Sequence, residues 1–70
     1  MNGPELREQI FHLLLRFDQC EDLNLVVDIQ LKLEEKYVQL SCLTGKSPEA
    51  LEEAILDQYP HWLKQQSSEN

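Results

Sequence analysis

Apolar residues recur every three or four positions near the start of the chain: Leu6, Ile10, Leu13 and Phe17, with Leu14 beside them. That spacing predicts an α-helix over about residues 4–17. Asn2-Gly3-Pro4 supplies a candidate cap and a proline at the first helical position, and Glu5 suits the positive end of the helix dipole. Phe11 and Leu15 fall on a different face, so this helix presents more apolar surface than one neighbour covers. Asp18-Gln19-Cys20-Glu21-Asp22 then breaks the pattern and predicts the first turn.

From Leu23 to Leu43 two periods compete. Val27, Ile29, Leu31 and Leu33 alternate with Asp28, Gln30, Lys32 and Glu34, a strand pattern supported by β-branched residues. On a helical wheel the same residues also resolve. Asp28, Lys32, Glu35 and Gln39 make a polar stripe, with Val26, Ile29, Leu33, Tyr37 and Leu40 opposite. No glycine or proline interrupts residues 21–44, and nothing marks a junction between strand and helix. The punctuation therefore favours one long helix over about 22–43.

Gly45-Lys46-Ser47 follows, and a third helix is expected from Pro48 with Ser47 as its N-cap and Glu49, Glu52 and Glu53 in its first turns. Leu51, Ala54, Ile55 and Tyr59 mark its inner side. Pro60 should stop or kink it at Tyr59, with a further turn to 64 that folds Trp62 back on the core. The expected fold is all-α: helices over about 4–17, 22–43 and 48–59, in one domain of residues 1–66. Residues 67–70 form a frayed tail.

Size and charge narrow the picture. Seventy residues lie near the lower limit for a self-supporting core, with an expected stability of roughly 3–5 kcal/mol. Oligomerisation is a usual supplement, and a homodimer would also cover the surplus face. Thirteen acids against six bases give a net charge of −7, which opposes binding to nucleic acid or anionic lipid. No apolar run approaches the ~20 residues of a membrane span, and no signal-peptide pattern opens the chain. Two cysteines, Cys20 and Cys42, read as reduced thiols, so the expected setting is cytoplasmic.

Gly45-Lys46-Ser47 invites comparison with a phosphate-binding loop. Such a loop needs a second glycine five positions earlier so that its amides can encircle phosphate. Leu40 stands there. The expectation is a structural turn instead, with Gly45 left-handed at a helix end and Ser47 capping the next helix. Catalytic residues, cofactor ligands and metal ligands are not expected. His12 and His61 are isolated, Cys20 and Cys42 lack redox or zinc spacing, and neighbouring acids such as Glu34-Glu35 diverge on a helix.

Residues 33–55, "LEEKYVQLSCLTGKSPEALEEAI", resemble the two helices of ribbon-helix-helix proteins, the small dimeric repressors and antitoxins. The resemblance implies an alternative fold with a short strand at 25–31 that pairs across a dimer, and a DNA-binding role. Outward strand positions would be Asn24, Val26 and Asp28, where the family presents basic or amide side chains. Asp28 departs from that pattern and would face an anionic groove.

The expectation taken forward is a non-enzymatic regulatory or adaptor protein. It would act through helix-mediated contact with itself and a protein partner, at Phe11, Leu15, Leu25 and Leu31.

Overall fold

The computed structural model describes residues 3–68, in three helices: α1 (Gly3–Gln19), α2 (Leu23–Thr44) and α3 (Pro48–Ser68). Asn2, the expected cap of α1, lies outside the described residues, as do Glu69 and Asn70 of the expected frayed tail. The rest of that tail, Ser67 and Ser68, ends α3.

The competition along α2 resolves as helix, and no strand occurs among the described residues. The short strand at 25–31 is thus helical instead. Local chemistry starts it: Asp22 has extended backbone (φ −91°, ψ 118°), and its carboxylate accepts the Asn24 N–H at 2.9 Å. Packing then selects the period. Ile29, Leu33, Tyr37 and Leu40 are all buried, and they share one helical stripe. A strand would have placed Leu31 on the same side as Ile29 and Leu33; Leu31 is 59% exposed.

Pro60 does not end α3. The helix runs past Tyr59 and past residue 64, to Ser68. Position explains the tolerance. Leu51, Ile55 and Trp62 form the buried stripe, and Pro60 sits on the exposed side, about 160° round the helix from it. The carbonyl that loses its donor belongs to Leu56, which is itself exposed and open to water.

That continuation changes the fate of α1. Its first face, Leu6 and Ile10, is buried with the α2 stripe, and Gly3 at its start lies against Leu40 near the end of α2. The two helices form an antiparallel hairpin. The second face is covered by the far half of α3. The Phe11 ring stacks on Trp62 at 5.3 Å between centroids and on Tyr59 at 6.5 Å.

The molecule measures 34 × 31 × 21 Å. Three helices packed side by side at 8–10 Å would be narrow in two directions, so the 31 Å width means that the helices cross at a wide angle. Crossing helices meet over short lengths, and their outer faces stay bare.

Candidate functional site

The turn between α2 and α3 closes on itself through backbone and hydroxyl hydrogen bonds. Gly45 is left-handed (φ 76°), and its N–H donates to the Ser41 carbonyl at 2.8 Å. The Lys46 N–H donates to Thr44 Oγ1 at 3.3 Å, and the Ser41 hydroxyl donates to the Lys46 carbonyl. Ser47 Oγ accepts the Ala50 N–H at 3.2 Å. The amides of Gly45, Lys46, Ala50 and Leu51 are therefore already spent on the chain itself. Gly45 and Ser47 hold the structural positions that the sequence assigns to them.

The four candidate interface residues do not share a surface. Phe11 is only 6% exposed and belongs to the core, which corrects its assignment to an outer face. Leu15 is half-buried against the same core. Leu25 and Leu31 are both exposed, yet six residues separate them, about 120° round α2. Leu31 does have company. Leu23, Val27, Leu31 and Val38 fall within about 80° of one another on α2. They are 81%, 58%, 59% and 53% exposed, a row of large apolar side chains left facing outward. The sequence reading missed this row because alternation and helical period overlap in the segment. The signal was the i, i+4, i+8 spacing of Leu23, Val27 and Leu31.

Beside that row lies a groove of about 260 Å³ where all three helices meet. Leu14 and Phe17 of α1, Leu33 of α2 and Leu56 of α3 form its apolar walls. Tyr37 lines it too; the residue is 7% exposed, and its buried hydroxyl has no hydrogen-bond partner. Burial, reinforced by the negative charge of Glu52, pushes the Tyr37 phenol up to about 12 from its ordinary 10.0. Glu34 and Glu52 stand at the rim, both exposed, with no ion pair among the described residues.

The histidines and cysteines stay apart. His12 is exposed, lies 3.4 Å from Glu8 and meets the edge of Trp62, whose indole N–H donates to the same Glu8 oxygen at 3.4 Å. His61 and Cys42 are exposed, and Cys20 donates weakly to the Asp22 carbonyl. Among the described residues, no three His, Cys, Asp or Glu side chains converge on a metal-sized site. No helix among them is long and apolar enough to cross a membrane. No family model, no curated protein and no solved structure matches this chain.

Proposed function

We propose that this chain is a small acidic regulatory or adaptor protein, non-enzymatic and cytoplasmic, that works by helix-mediated protein contact and pairs with a second copy through the outer face of α2. The single observation behind this reading is the row Leu23, Val27, Leu31 and Val38, exposed along one face of a 22-residue helix. A row of exposed apolar side chains along one helix face, interrupted here by Glu34 between Leu31 and Val38, is characteristic of interaction sites. The area supports it as well. The chain exposes 5199 Å², against roughly 4,500 Å² for a folded monomer of its mass. The difference approaches the ~800 Å² that each partner contributes to a standard interface.

Charge argues against nucleic acid as the partner, since −7 opposes the electrostatic attraction on which such binding depends. Cys20 and Cys42 are free thiols, as a reducing compartment would keep them.

Chemical denaturation at several protein concentrations tests the reading. A dimer that unfolds to monomers gains about 1.4 kcal/mol of apparent stability per tenfold rise in concentration. The unfolding midpoint should rise accordingly, and it should lose that dependence in Val27→Glu/Leu31→Glu. A midpoint independent of concentration in the parent chain would overturn the pairing.

A further inference from the structure

The groove between the three helices adjoins the α2 row at Glu34 and asks for a different occupant. At about 260 Å³ it falls below the roughly 300–1,000 Å³ of small-molecule pockets, leaving room for one or two anchoring side chains. Its walls are aliphatic and aromatic, and two of them, Phe17 and Leu56, are 40% and 46% exposed at its mouth. Its polar features point to a partner as well. The Tyr37 hydroxyl is buried with its hydrogen-bonding capacity unused. A buried hydroxyl without a partner costs stability, and an incoming polar group would remove that cost. Glu34 and Glu52 flank the opening and lack cations of their own.

We infer that this groove takes a cationic amphipathic segment of a partner protein, with an apolar anchor seated between Phe17 and Leu56 and Lys or Arg side chains paired with Glu34 and Glu52. The inference rests on the reading of the chain as a helix-mediated binding protein, and it adds the partner's chemistry and its place. Charge complementarity selects this occupant. A second copy seated in the groove, rather than along the α2 row, would bring a net charge of −7 toward Glu34 and Glu52 together. A basic segment is instead attracted by the whole surface and held by its rim. The Tyr37 hydroxyl then gains a partner in the segment's backbone or its polar side chains.

The test uses the full chain and two synthetic amphipathic helices of one pattern, leucine–lysine and leucine–glutamate. Calorimetry measures affinity, and nuclear magnetic resonance maps the contact. The cationic helix should bind in the micromolar range, more weakly as salt rises, and shift the resonances of Phe17, Leu33, Tyr37 and Leu56. Glu34→Lys/Glu52→Lys should weaken it by about tenfold or more. Both positions are exposed, so the fold should persist in the circular dichroism spectrum. Val27→Gln/Leu31→Gln, which removes apolar surface from the α2 row without adding charge, should leave the affinity unchanged. Equal binding of the anionic helix, shifts confined to the α2 row, an unaffected Glu34→Lys/Glu52→Lys variant, or no binding of either helix would each overturn the inference. Groove resonances that shift on dilution of the chain alone would assign the groove to a second copy, and overturn it too. Sedimentation of the same samples separates the two readings. A dimer that ignores the cationic helix defeats only the groove, and a monomer that binds it defeats only the pairing.

Discussion

Replacing Phe11 by alanine removes a ring that is 6% exposed and stacked on Trp62 at 5.3 Å and on Tyr59 at 6.5 Å. Truncating a buried Phe to Ala typically costs about 3–5 kcal/mol, through lost transfer energy and the cavity left behind. Roughly 0.5–1.5 kcal/mol accompanies each lost aromatic pair beyond its area. A domain of this size has only about 3–5 kcal/mol in total. Phe11→Ala should therefore leave a monomer close to equal folded and unfolded populations in water. Phe11→Leu keeps most of the apolar volume and should cost about 1–2 kcal/mol. Phe11→Glu should unfold the chain, because its carboxylate would be buried against the rings of Tyr59 and Trp62. Urea titration followed by far-ultraviolet circular dichroism measures the loss, and Trp62, the chain's one tryptophan, reports on the stack itself by fluorescence. A Phe11→Ala protein with the parent's midpoint, or a folded Phe11→Glu protein that merely fails to associate, would refute the placement of Phe11 in the core.

Pro60→Ala should stabilise the fold by about 1–3 kcal/mol, since a proline inside a helix is disfavoured by roughly that much; a lower urea midpoint would show that the proline's bend is what seats Trp62. Gly45→Ala should cost about 1 kcal/mol, from backbone strain alone. A Cβ there would meet nothing within 4 Å. Ser47→Ala should cost about 0.5–2 kcal/mol through the lost cap, while Lys46→Ala should leave the midpoint unchanged. Stability should also fall as pH rises through about 10 to 12. The folded chain holds the Tyr37 proton to about 12 against 10.0 when unfolded, so unfolding releases a proton in that window. Below it the contribution is fully present. Tyr59 is raised in the same direction, by burial and then Asp18. Denaturation midpoints across the window should fall less steeply for Tyr37→Phe than for the parent chain.

Local chemistry was the most legible part of the sequence. Pro48, Ser47 and Gly45 mark helix ends through backbone geometry and short-range hydrogen bonds, and all three stand where expected. The α2 stripe of Ile29, Leu33, Tyr37 and Leu40 was legible too, because uninterrupted helical period outweighed local alternation. What failed depended on tertiary packing. Pro60 reads as a stop or kink with one further turn to 64 by local rules, and its place on the solvent side lets α3 continue to Ser68. Trp62 does fold back on the core as expected, but its partner was not legible: Phe11, set on a different face of α1 by its spacing, is the ring that Trp62 covers. The groove was not legible at all, because Leu14, Leu33 and Leu56 come from three helices and share no period along the chain.

Sedimentation equilibrium at micromolar concentrations tests the central claim most directly, that the outer face of α2 is a contact surface. The parent chain should sediment as a dimer. Val27→Glu/Leu31→Glu should sediment as a folded monomer, since both side chains already face solvent in the single copy, at 58% and 59% exposure. A parent chain that remains monomeric across the range would contradict the account, and so would a dimer that survives both substitutions.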